Sequence, residues 1–126
     1  MLVPSFILKR LYVKGSLRNN TDGFEFNLKN TLGSGYAREM LPLSLDGQEV
    51  PLERSFFLLD GKQVPFTAVS NGTPFTLALN KTSTLLVKGT ALAPGLHKLG
   101  IGFVVQGLGN MSFDIADTLS EEGRQP

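Results

Sequence analysis

His97 is the only imidazole in a chain that has no cysteine and no tryptophan. Most ways of building an active site from one small domain are therefore closed. A metal site needs several nitrogen, sulfur or oxygen donors around one point, and a single His with scattered carboxylates does not make a typical set. A general base needs a nucleophile beside it, and the spacing places no Ser or Thr next to His97. The run Leu92-Ala93-Pro94-Gly95-Leu96-His97-Lys98-Leu99 puts His97 just after a Pro-Gly turn, on a strand at the margin of a sheet. Gly100, Gly102, Gly107 and Gly109 invite comparison with a phosphate-cradling loop, but such loops lead into a helix whose N-terminus holds the phosphate. No helical pattern follows them here. Gly100 and Gly102 fall on one strand face, where close packing is the expected use. The residues assign no catalytic group, and the sequence predicts neither a cofactor nor a metal ligand in this chain.

The charges say little more. Twelve Lys plus Arg against eleven Asp plus Glu leave a net charge of +1, which provides no field for nucleic acid or an anionic membrane. Lys9, Arg10, Lys14 and Arg18 cluster near the start, but alternation spreads them over both faces, as a solvated surface does. Nine Phe, two Tyr and no Trp argue for a packed core and against a sugar-stacking surface.

The elements that must carry these residues are strands. Phe24, Phe26 and Leu28 alternate with Glu25, Asn27 and Lys29, which is the period of a half-buried strand. Ile7, Leu11 and Val13, then Leu41, Leu43 and Leu45, then Phe75, Leu77 and Leu79 read similarly, and segments 83–89, 97–105 and 111–117 complete the set. Asp22-Gly23, Asp46-Gly47, Asp60-Gly61 and Asn71-Gly72 supply turn chemistry between them. Pro42, Pro51, Pro65 and Pro74 should sit at edges, strand starts or bulges. The one place left for a short helical turn is Ser34 to Met40. The prediction is an all-β fold: a single antiparallel sandwich or jelly-roll-like barrel of about eight strands over residues 1–119, followed by a flexible polar tail at 120–126.

Doubled apolar positions break the alternation at Phe56-Phe57, Leu58-Leu59 and Leu85-Leu86. Neighbours on a strand face opposite ways, so one member of each pair must be covered from outside the core. This predicts an interface. No segment approaches the ~20 apolar residues that cross a bilayer. The start lacks the pattern of a secretory leader, and the absence of cysteine suits a reducing compartment, so the expected location is the cytoplasm. The sequons at Asn19, Asn71, Asn80 and Asn110 are accordingly read as products of composition.

The run Lys14-Gly15-Ser16-Leu17-Arg18-Asn19, continued by Gly23-Phe24-Glu25-Phe26-Asn27-Leu28-Lys29-Asn30, resembles the small (β) subunit family of bacterial C-glycoside deglycosidases, as do Asp46-Gly47-Gln48-Glu49-Val50-Pro51, Leu92 to His97 and Phe113-Asp114-Ile115-Ala116-Asp117. The resemblance implies an auxiliary, noncatalytic β-sandwich subunit of a lyase complex in carbohydrate metabolism. It also implies an epimerase-like TIM-barrel large subunit that carries the divalent metal, with self-association if that partner is missing. The competing expectation is a stand-alone Ig-like or carbohydrate-binding sandwich; an independent hydrolase or isomerase fits the residue census least.

Overall fold

The computed structural model describes residues 4–33, 35–59, 61–70, 75–77 and 79–119, with 35, 36, 59 and 75–77 described by their backbone alone. Two antiparallel sheets face each other across one apolar core. The first contains β1 (Arg18–Asn19), β2 (Gly23–Lys29), β6 (Ser55–Leu59), β7 (Lys62–Pro65) and β9 (Thr82–Lys88), in the order β1-β2-β9-β6-β7. The second contains β3 (Gly35–Met40), β4 (Ser44–Leu45), β5 (Gln48–Glu49), β8 (Phe75–Leu77), β10 (Gly95–Val105) and β11 (Gly109–Leu119). In it β11 pairs with β10 over its whole length, so β4 and β3 share the opposite edge of β10 in succession. The predicted all-β sandwich is thus what the chain forms, with eleven strands among the described residues where about eight were expected; several are only two residues long.

Alternation sets the core. Phe24 and Phe26 of β2, Phe57 of β6 and Leu85 and Val87 of β9 point inward from the first sheet, and Leu99, Ile101, Met111 and Phe113 meet them from the second. Phe57 stacks on Phe66 with ring centroids 4.6 Å apart, a geometry that adds to the burial of both rings. At the β4–β5 hairpin the two-residue turn needs positive φ twice, and Asp46 (φ 51°) with Gly47 (φ 86°) supplies it.

Three expectations are corrected. The helical turn lies at Ser5–Leu8 (α1), continued as a 3-10 turn over Lys9–Leu11, where a strand through Ile7 and Leu11 was predicted. Pro4 stands at its N-cap, and its carbonyl accepts the amides of Ile7 and Leu8; Leu8 and Leu11 then share one face, three residues apart, and bury into the core. Residues 35–40, the predicted helical turn, form β3 instead, because they pair with both β10 and β8. Gly23 is a strand residue rather than a positive-φ turn, lying so close to β9 that a Cβ would fall on the Val87 carbonyl. Pro65 ends β7, an edge strand, as the proline rule requires. The Asn71-Gly72 turn, Pro74 and the tail at 120–126 lie outside the described residues, as does Asp60.

The open side of the sandwich is closed by the segment from α1 to β1. Tyr12 bridges to Leu28, and the Val13 amide donates to the Asn27 carbonyl. The Tyr12 hydroxyl meanwhile reaches the second sheet. The same short segment therefore touches both layers.

Candidate functional site

Two titratable pairs sit where the sheets meet their loops. His97 does lie on a strand at the sheet margin, and both of its ring nitrogens face acceptors: Nδ1 lies 2.8 Å from Asp46 Oδ2, and Nε2 lies 2.7 Å from the Ala93 carbonyl oxygen. Burial works against the imidazolium, but these two acceptors outweigh it and hold the His97 pKa above its ordinary value. Asp46 in turn accepts the Lys98 amide at 2.8 Å, and this bond together with His97 holds its carboxyl below the usual range. Among the described residues no Ser or Thr hydroxyl bonds the ring, and its two contacts fasten the β9–β10 link to the β4–β5 turn.

The second pair was not anticipated. Asp117 is buried on β11, and its carboxylate accepts the Tyr12 hydroxyl at 2.7 Å, the Gly15 amide at 2.8 Å and the Thr118 amide at 2.9 Å. Desolvation pushes the Asp117 pKa up, but the three donors and the nearby Lys14 charge prevail and keep it low. Desolvation raises the Tyr12 phenol, and hydrogen bonding to the Asp117 carboxylate raises it further. The cluster ties the N-terminal segment to the last strand. Among the described residues no group of three or more His, Cys, Asp or Glu is placed to hold a metal ion.

The glycine pair does pack closely. A Cβ on Gly100 would collide with the Ser44 hydroxyl, and one on Gly102 would crowd Leu41 and Ser112. The basic cluster of Lys9, Arg10, Lys14 and Arg18 is exposed. Of the sequons, Asn19 is spent on structure, its side-chain amide making two hydrogen bonds to the backbone of Leu92.

The doubled apolar positions resolve into an inside and an outside. Phe57 and Leu85 are fully buried in the core, whereas Phe56, Leu58 and Leu86 fall on the outer face of the first sheet, where Leu86 is covered by its neighbours and Phe56 is half-buried. Phe56 pairs directly with Leu86, and Leu58 with Thr84, so the three apolar residues form one contiguous patch. Leu58 is 38% exposed. Lys88 Nζ stands 4.6 Å from the centre of the Phe56 ring, and on the other side Glu25 of β2 pairs with Leu86 while its carboxylate binds Arg18. At the same end, Arg54 donates to the Lys88 carbonyl and the Thr90 hydroxyl. Among the described residues neither Lys88 nor Arg54 has a carboxylate within ion-pair distance. The face is therefore an apolar centre with a cationic rim.

The family description "Hydroxymethylglutaryl-CoA reductase, N-terminal domain" matches residues 7–120, all but the two ends of the chain. The chain belongs to this family. No curated protein matches it. Membership overturns the likeness to C-glycoside deglycosidase β subunits, and with it the assignment to a deglycosidase or lyase complex in carbohydrate metabolism. The reason is physical: the quoted stretches are Gly-containing turns and alternating strands, which antiparallel sandwiches share whatever they do. Asp46-Gly47 is a hairpin turn, and Phe113 to Asp117 is an edge-strand alternation. Of the sequence features singled out, the doubled apolar pairs and His97 lie at the two places described above. The local signal for the Asp117 cluster was its phase, in step with Met111, Phe113 and Ile115 on the inner face; its partners stand 105 and 102 positions away.

Proposed function

We propose that the chain is a noncatalytic accessory module that docks on a larger catalytic chain through the outer face of its first sheet. The observation that carries this reading is the exposed Leu58 and half-buried Phe56 beside Leu86, itself buried, on a face where Asn27, Thr84 and Lys29 are polar. Contiguous apolar surface with a polar rim is what protein interfaces look like. The uncompensated cations Lys88 and Arg54 favour a partner that brings carboxylates to the rim. The family's printed name is that of a domain of an enzyme, which supports a role beside a catalytic unit. We take that unit to be the catalytic part of a hydroxymethylglutaryl-CoA reductase. The epimerase-like TIM barrel with its divalent metal rested on the deglycosidase likeness alone, so the proposal keeps the association and leaves that identity aside. Among the described residues no helix is long and apolar enough to cross a membrane, and the cysteine-free sequence supports a cytoplasmic setting.

The test is co-purification of the full chain with a reductase catalytic chain, beside size-exclusion chromatography of the full chain alone. The reading expects a complex that Leu58→Asp weakens at least tenfold while leaving the circular dichroism spectrum unchanged. A dimer of the chain alone, disrupted by the same substitution, would replace the reductase with a second copy. A monomer that binds nothing would leave the stand-alone sandwich.

A further inference from the structure

The link between β9 and β10, residues 89–94, carries the chain from one sheet to the other; besides the Gly89 amide, which donates to the Asp22 carbonyl, three side chains fasten it. Arg54 binds the Thr90 hydroxyl, Asn19 pairs with the backbone of Leu92, and His97 reaches back to the Ala93 carbonyl. The third depends on a proton, because a neutral imidazole has one N–H and here both ring nitrogens face oxygen acceptors.

We propose that His97 is a proton-operated latch, whose imidazolium joins the Ala93 carbonyl to the Asp46 carboxylate and so clamps the β9–β10 link onto the β4–β5 turn. When the proton on Nε2 leaves for solvent, the remaining N–H stays on Nδ1, where the Asp46 carboxylate is the stronger acceptor. The Nε2 lone pair then faces the Ala93 oxygen and the two repel. The Ala93 arm opens while Asp46 keeps its bonds with the backbone of Lys98, donating to its carbonyl and accepting its amide. Leu92 and Thr90 remain tied, so what loosens is Ala93 and Pro94 together with the adjoining end of the β10–β11 ladder at Gly95 and Leu96, the latter already 68% exposed.

The neighbours of the ring favour the closed state. Asp46 faces it from the β4–β5 turn, and Asp117 stands opposite it on β11, its carboxylate engaged by Tyr12 and Gly15 with Lys14 nearby. Lys98 and Glu49 lie on the other face of the second sheet by alternation, and residues 89–94 contribute no charge.

The test uses the full chain labelled with nitrogen-15, and the single histidine makes its ring signals unambiguous. The latch expects both ring nitrogens to carry protons at pH 6.5, a titration midpoint above the ordinary ~6.5, and a fall in that midpoint on Asp46→Asn. Amide exchange at Gly95 and Leu96, corrected for intrinsic pH dependence, should accelerate several-fold above the midpoint in the native chain. The His97→Gln variant should show no such step. A native midpoint at or below the ordinary value, or exchange in this stretch that ignores the titration, would overturn the proposal without recourse to either variant.

Discussion

Phe56 and Phe57 are adjacent, chemically identical and predicted to behave oppositely. Phe57 is wholly excluded from solvent, stacked on Phe66 and paired across the sheet with Leu85 and Val64. Truncation to Ala removes a buried ring and leaves a cavity, a change that costs about 3–5 kcal/mol. Phe56 is half-buried on the outer face, so its truncation forfeits roughly half a phenyl ring's burial, about 1 kcal/mol, and an exposed cation–π contact with Lys88 of about 0.5–1 kcal/mol. The two variants should therefore differ by about 1–3.5 kcal/mol, and a difference of about 2 kcal/mol is roughly 6–10 °C in Tm for a domain of this size. Urea unfolding followed by far-UV circular dichroism measures the difference, with an unchanged m-value licensing the comparison. Should Phe57→Ala fail to fold, Phe57→Leu against Phe56→Leu preserves the order at smaller size. Equal losses within about 0.5 kcal/mol, or a larger loss at Phe56, would refute the assignment of inside and outside on which the docking face depends.

Asp117→Asn should cost about 2–3 kcal/mol, because an amide cannot accept from the Tyr12 hydroxyl, the Gly15 amide and the Thr118 amide as the carboxylate does; Tyr12→Phe in the same background should then cost much less than in the native chain, which a double-mutant cycle in urea reads directly. Because folding lowers the Asp117 pKa, its contribution is complete above the unfolded value of about 3.9 and disappears as pH falls through the folded one. Because folding raises the His97 pKa, its contribution has the opposite sense: complete below about 6.5 and lost as pH rises through the folded value. Unfolding midpoints measured from pH 2 to pH 9 should show both limbs, and His97→Gln should flatten the alkaline one while leaving the Asp117 part of the acid one in place. Gly23→Ala should cost on the order of 2 kcal/mol or more, since the new methyl meets the Val87 carbonyl, a backbone atom of β9 that has no rotamer by which to yield; a thermal melt within ~1 °C of the native chain would show that β2 and β9 are not paired this closely.

Much of the sandwich was legible because alternation is a local signal. Phe24, Phe26 and Leu28, or Met111, Phe113 and Ile115, state their strand and its inner face without help from the rest of the chain. The run at Phe6-Ile7-Leu8 does not, since consecutive apolar residues fit a helix or a strand, and the choice fell to Pro4 and to the burial of Leu8 with Leu11. At Phe56-Phe57 the sequence posed the question of which ring faces in, and only the register against Leu85 and Leu86 answers it. Asp117 was missed for another reason: alternation sets it in phase with Phe113 and Ile115 on the inner face and Asp114 on the outer, but the partners that make an inward carboxylate tolerable, Tyr12 and Gly15, come from the other end of the chain. The mistaken family likeness has the same root, because turn and strand motifs report backbone geometry that many unrelated functions share.

The bond between Tyr12 and Asp117 also fixes an order of events during synthesis. Residues 12–15 leave the ribosome early, yet the carboxylate that fastens them is incorporated 105 residues after Tyr12. At ~5–20 residues per second that is a wait of roughly 5–20 s. Throughout it, Leu8 and Leu11 lack the last strand, β11, against which they pack in the finished fold. The seam is thus the last part of the sandwich to close and the period of greatest exposure to wrong pairings, so a nascent chain halted before Asp117 should be the form that chaperones hold and proteases cut.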